Sequence, residues 1–197
     1  LTAPEGRLFH VEQEAIRLAI PARRREFRAG RAAVRRAQAA LGLAPSAVPM
    51  GPDRAPVWPA GQYGSISHTA DTCVAVVGDD PAVKALGLDI EENAPLPAEI
   101  VDTVLSIDEQ RWINQQPNPG LLARLFFSAK ECAYKAQYPL SGQLFGFDTI
   151  GITLNPQLGV FEAQFTRPVP PFASGTRLAG RLSVIDGLII TAVALPA

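Results

Sequence analysis

The chain has 197 residues, 47% of them apolar, and its 18 Lys and Arg against 19 Asp and Glu leave a formal net charge of −1. That balance suits one domain, or two small subdomains sharing a core, and excludes a disordered chain or a general nucleic-acid binder with a strongly basic surface. Two distant cysteines, Cys73 and Cys132, show no CxxC spacing and read as reduced thiols rather than a disulfide framework. No apolar run approaches the ~20 residues of a membrane span. No signal-peptide pattern is visible, so a cytoplasmic protein away from the membrane is expected.

Residues 11–42 read as helix, interrupted at Pro21. From Pro21 to Gly42, Phe27, Gly30, Val34, Ala37 and Leu41 recur at helical spacing, and Gly42 supplies a stop. The same helix carries seven arginines, at 23, 24, 25, 28, 31, 35 and 36, offset locally only by Glu26. Such a run is a solvated face or, given arginine's forked donors, a cradle for phosphate. Residues 44–64 are rich in Pro and Gly and read as an irregular loop. SISH (65–68), CVAVVG (73–78) and KALGLDIE (84–91) read as short strands. A helix is expected over 97–113, a loop at NQQPNPG, and a second helix over 121–137. Four strands follow: TIGITL and VFEAQF flank NPQLG, and RLAGRLSVI and LIITAVAL flank Asp186-Gly187, a strong two-residue hairpin signal. Strands joined by short turns make antiparallel sheets, so the fold class is α+β. The stretches 1–95 and 96–197 each run from helix into a small meander, which predicts two similar halves with a ligand site between them.

Three short stretches carry chemistry. In GLDIEE (87–92), Asp89 and Glu91 point to one side of a strand and Glu92 to the other. Two carboxylates about 7 Å apart along a strand repel unless a cation sits between them, and magnesium suits such oxygen donors. The plainer reading is a strand end reaching solvent. In FFSAKECAYKA (126–136), Glu131 and Lys135 are four apart and share a helix face with aromatic neighbours. There, Ser128 and Glu131 also match the capping box S-x-x-E, although Leu121–Phe127 already reads as helix. In GSISHT (64–69), Ser67 and His68 end a strand where both can donate to a phosphate oxygen. No GxSxG elbow is present, so a Ser-His hydrolase is not expected. Acids, arginines and a Ser/His pair together fit a substrate carrying several phosphates.

The ordered set GR (30–31), WPAGQYGSISHT (58–69), GLDIEE (87–92) and FSAKECAYKA (127–136) resembles the 4′-phosphopantetheinyl transferases of the monomeric, pseudo-twofold type. Those enzymes serve siderophore, polyketide and nonribosomal peptide synthesis. The resemblance implies transfer of the phosphopantetheine arm of coenzyme A to a serine of an apo acyl or peptidyl carrier protein, with release of 3′,5′-ADP. It implies magnesium, or manganese in its place, on Asp89, Glu91 and Glu131. Asp89, Glu131 and Lys135 are then the catalytic residues. Ser67, His68, Arg23, Arg31 and Arg54 are implied as coenzyme A contacts, and Lys130 is grouped with them. Phe127 stands where the family often has tryptophan. A monomer is implied, with neither nucleic acid nor membrane as partner. Leu105, Ile107 and Trp112 are candidates for the carrier-docking surface, or core. The rivals are a metal-dependent nuclease, which also needs acids and a lysine, and a nucleic-acid binder using the arginine helix. The second leaves GLDIEE and Glu131 without a role.

Overall fold

The computed structural model describes residues 8–197. Its helices are α1 (His10–Ala15), α2 (Pro21–Ala40), α3 (Ala98–Val104), α4 (Ile107–Ile113) and α5 (Pro119–Ser141). Its strands are β1 (Tyr63–His68), β2 (Cys73–Gly78), β3 (Val83–Glu92), β4 (Ile150–Asn155), β5 (Val160–Phe165), β6 (Arg177–Ile185) and β7 (Leu188–Pro196). Proline opens both long helices, where its missing N–H would have had no partner and its fixed φ suits the first turn.

The buried stripe of α2 runs through Phe27, Gly30, Arg31, Val34 and Gln38, so two polar side chains point inward with the apolar ones. Gln38 uses its burial to tie down the proline-rich loop: it donates to the Gln62 side chain at 2.8 Å and accepts from the Ser46 N–H at 3.1 Å. Glu12 of α1 is fully buried, pairs with Arg35 of α2, and accepts the Val48 N–H at 2.9 Å. The loop is therefore irregular but pinned, which gives the residues it carries fixed positions.

Two antiparallel sheets form, β1-β2 and a five-stranded β3-β7-β6-β5-β4. The fold is α+β, as the run of short-turn strands predicts. The sheets do not follow a boundary after residue 95: β3 pairs along its length with β7, with Asp89 opposite Thr191 and Glu91 opposite Ile189. An antiparallel partner at that distance in sequence cannot be read from local periodicity. At the β6–β7 turn, Asp186 and Gly187 both have positive φ, 50° and 75°, as a two-residue hairpin of matching twist requires.

The expected helix over 97–113 is broken in two at Leu105 and Ser106. Ser106 caps α4: its Oγ accepts the Glu109 N–H at 3.2 Å, and Glu109 accepts the Ser106 N–H at 2.7 Å. The pattern S-x-x-E thus occurs twice and caps a helix once, because Ser128 lies in the middle of α5. The main core forms where Leu125, Phe126, Ala129, Cys132, Ala133 and Ala136 of α5 cover Phe161, Phe165, Ile189 and Val193 of the large sheet. Small residues let α5 sit close. At Gly87 of β3 an added Cβ would lie 2.1 Å from the Cys132 carbonyl oxygen, so only glycine permits this approach. Among the described residues, no helix is long and apolar enough to cross a membrane.

Candidate active site

α5 and β1 both pack against β3, which brings Ser67 of β1 and Asp89 of β3 within reach of α5. Arg124, Ser128, Glu131 and Lys135 follow each other at four, three and four residues along one side of that helix. Asp89 is 2% exposed and takes three donors. Its Oδ1 accepts from Ser67 Oγ at 2.9 Å and from Lys135 Nζ at 2.6 Å, and its Oδ2 accepts from Ser128 Oγ at 2.8 Å. Ser67 also accepts from Lys135 at 3.0 Å and from the Ile90 N–H at 3.3 Å. A serine has one hydroxyl proton, and here it goes to Asp89. The sequence-based expectation that Ser67 donates to a phosphate therefore needs that bond to break first.

Glu91 pairs with Arg124 at 2.8 Å, and Arg124 is anchored by the Ala94 and Pro95 carbonyls at 3.2 and 3.0 Å. Sequence reasoning passed over Arg124, although its spacing from Ser128 and Glu131 was a readable signal. Burial pushes the Glu91 carboxyl above its ordinary range and the charge of Asp89 adds to this, while Arg124 opposes it. Burial likewise raises the Glu131 carboxyl, with Lys135 pulling it back and Asp89 pushing it up.

Three hard oxygen donors in one cleft fit magnesium chemically. Among the described residues, however, no three Asp, Glu, His or Cys side chains form a ready metal cage. Cationic nitrogens already meet two of the acids, Lys135 at Asp89 and Arg124 at Glu91. An ion held by this set must take over their charge-neutralising contacts.

These side chains border a cleft of about 860 Å³ whose other wall comes from α2, the proline-rich loop and β1. Arg23, Arg31, Arg54, Ser67, His68, Asp89, Glu91, Glu131 and Lys135 all line it. Arg31 is 6% exposed, lies over the Phe27 ring at 3.9 Å, and donates to the Pro49 carbonyl at a long 3.5 Å. Its buried Nε has no hydrogen-bond partner among the described residues. Burial lowers its pKa to about 10, against the pull of Glu12. A buried guanidinium with a free donor beside a cavity is a site for an anion. Arg23 pairs with Glu26 at 3.2 Å, and His68 Nε2 stands 3.9 Å from the same carboxylate. Arg54 sits exposed at φ 69° in the loop, next to Asp53, which accepts from Tyr138 of α5 at 2.8 Å across the cleft.

Lys130, grouped by the sequence with the coenzyme contacts, does not line this cleft. It is 3% exposed, and its Nζ donates to the Val104 carbonyl and Glu109 Oε2, both at 2.7 Å, and to the Phe147 carbonyl at 3.1 Å. The helix turns about 100° per residue, so Lys130 points toward α4 and the Phe147 turn while Glu131 reaches the cleft. Glu109 also accepts the Ile152 N–H at 2.8 Å and so ties α4, α5 and β4 together. Of the docking candidates, Leu105 is core at 3% exposure, Ile107 is exposed at 67%, and Trp112 is half-exposed with its ring edge-on to Phe126.

Two family models match this chain: the 4′-phosphopantetheinyl transferase N-terminal domain over residues 11–78 and the 4′-phosphopantetheinyl transferase superfamily over residues 85–183. The chain is similar to the 4′-phosphopantetheinyl transferase Svp of Streptomyces mobaraensis, 36% identical across 98% of this chain and 81% of that one. It is 34% identical to the 4′-phosphopantetheinyl transferase Npt of Nocardia iowensis, across 98% of this chain and 92% of that one. A shorter match, 40% identical, joins 41% of this chain to 38% of enterobactin synthase component D of Escherichia coli (strain K12).

Proposed function

The chain belongs to the 4′-phosphopantetheinyl transferase superfamily, and from that premise we propose that it moves the 4′-phosphopantetheine arm of coenzyme A onto a serine of an apo acyl or peptidyl carrier protein. The carrier serine oxygen bonds to the phosphorus that bears pantetheine. The bond from that phosphorus to the bridging oxygen breaks, and 3′,5′-ADP leaves with the electron pair.

The observation that carries this reading is the shared cleft. The buried guanidinium of Arg31, whose Nε finds no hydrogen-bond partner among the described residues, stands at one wall, and the Asp89–Lys135–Ser67 cluster with Glu131 stands at the other. Arg31, with Arg23 and Arg54 nearby, holds the 3′-phosphate end of coenzyme A. Lys135 sits where it can shift from Asp89 to a phosphate oxygen and neutralise charge that grows there. Glu131 takes the serine proton, directly or through a water. Asp89, Glu91 and Glu131 are the groups that would hold magnesium or manganese, which supplies orientation and charge neutralisation for the diphosphate. Both cysteines are free thiols, in keeping with a reducing cytoplasm.

The test is mass spectrometry of a panel of apo carrier proteins after incubation with coenzyme A and magnesium. The expected result is a gain equal to one phosphopantetheine on a single serine, lost with Glu131→Ala and Asp89→Ala. Cleavage of plasmid DNA with no carrier modified would favour the nuclease reading instead.

A further inference from the structure

Asp89 is gripped from behind as well as from the cleft. Thr191 of β7 stands directly opposite it in the register and is fully buried. Its Oγ1 lies 2.9 Å from Ser128 Oγ and 3.0 Å from the Ser128 carbonyl oxygen. Ser128 Oγ, itself fully buried, lies 2.8 Å from Asp89 Oδ2.

The protons can be counted. An ionised carboxylate has none and each hydroxyl has one. The Ser128 proton meets Asp89 Oδ2, so the contact between the two hydroxyls is a bond only when Thr191 donates it. If Thr191 donates to the Ser128 carbonyl instead, the two hydroxyl oxygens face each other lone pair to lone pair unless Ser128 turns its proton away from Asp89. Either way the threonine hydroxyl fastens Ser128, through its Oγ or through its carbonyl, at the point where the Ser128 Oγ meets the carboxylate. On the other oxygen, Oδ1, the partners are Lys135 and Ser67, which both line the cleft. An incoming phosphate or cation competes for that pair. The cleft lining does not include Ser128 or Thr191.

We propose that Ser128 and Thr191 are positioning residues, a buried hydroxyl relay that holds the Asp89 carboxylate in orientation while Lys135 and Ser67 exchange partners. The inference rests on the reading of Asp89 as an acid of the transfer site. Groups that orient a ligating or catalytic carboxylate influence it strongly even though they never touch substrate.

Thr191→Val keeps the branched shape and removes the hydroxyl, whereas Thr191→Ser keeps the hydroxyl. Ser128→Ala removes the middle of the relay at a helical position where alanine is favoured, so a folding failure of Thr191→Val does not end the test. Transfer to a carrier protein is measured together with Mn2+ binding in the presence of coenzyme A, the free ion being read by electron paramagnetic resonance. Thr191→Val and Ser128→Ala should each lower kcat and weaken Mn2+ binding about 10-fold, with the KM for the carrier protein unchanged. Thr191→Ser should restore both. Wild-type turnover and Mn2+ binding in the valine and alanine variants would overturn the relay. So would a serine variant as impaired as the valine one, since shape rather than the hydroxyl would then matter. A wild-type protein that modifies no carrier overturns the functional reading, and the relay with it.

Discussion

Replacing Lys130 with methionine removes three buried hydrogen bonds, to the Val104 carbonyl, the Phe147 carbonyl and Glu109 Oε2. The unbranched chain keeps most of the volume. Glu109 stays behind at 7% exposure, with the Ser106 and Ile152 N–H groups as its remaining donors. Removing one member of a buried ion pair costs about 3 to 5 kcal/mol, since the other charge is left uncompensated. Two backbone donors still reach Glu109, so the low end, about 3 kcal/mol, applies here. At about 2 to 4 °C per kcal/mol for a chain of this size, the melting temperature should fall by roughly 6 to 12 °C. Adding Glu109→Gln to Lys130→Met should recover part of the loss, because the neutral amide no longer needs a cation; the double variant should lie at least about 0.5 kcal/mol off additivity. Thermal unfolding by circular dichroism reads the stability, and calorimetric titration with coenzyme A at a temperature where both proteins are folded reads the site. An unchanged melting temperature with a tenfold loss of coenzyme A affinity would refute this reasoning and return Lys130 to the ligand site.

Arg31→Met should weaken coenzyme A by about 10- to 100-fold, the worth of a charged hydrogen bond, and dephospho-coenzyme A by less; equal losses in calorimetry would remove Arg31 from the 3′-phosphate. Gly87→Ala forces a methyl group to within 2.1 Å of the Cys132 carbonyl. It should cost about 1 to 3 kcal/mol by overpacking and abolish transfer by moving α5 off Asp89, read by urea unfolding and the carrier assay. Tyr138→Phe should raise the Asp53 carboxyl back toward 3.8, because the phenol hydrogen bond is the main cause of its depressed pKa. A depressed folded pKa means that this latch contributes above the unfolded value and is lost as pH falls through the folded one. Carbon NMR of the Asp53 carboxyl, titrated in both proteins, would show no difference if the hydrogen bond is absent in solution.

Local pattern made much of this molecule legible. Helical spacing from Pro21 to Ala40, the shared side of Asp89 and Glu91 on β3 and the Asp186-Gly187 turn are set by neighbours within a few residues, and the structure follows them. The motifs brought out seven of the candidate site residues that line the cleft, because each presents its polar groups at fixed spacing on one helix or strand; Arg23 and Arg54 lie outside them. The break at Ser106 was also written locally, as S-x-x-E, but the same four-residue pattern at Ser128 shows why it could not be trusted alone: a cap forms only where the chain is not already helical. What the tertiary structure decided is which distant groups meet. Lys130 turned to Glu109, Arg124 came to Glu91, and Thr191 came to stand behind Asp89 through a pairing of β3 with β7. Those contacts depend on packing between elements far apart in the chain, where burial makes each unpaired charge or hydroxyl costly and so selects its partner.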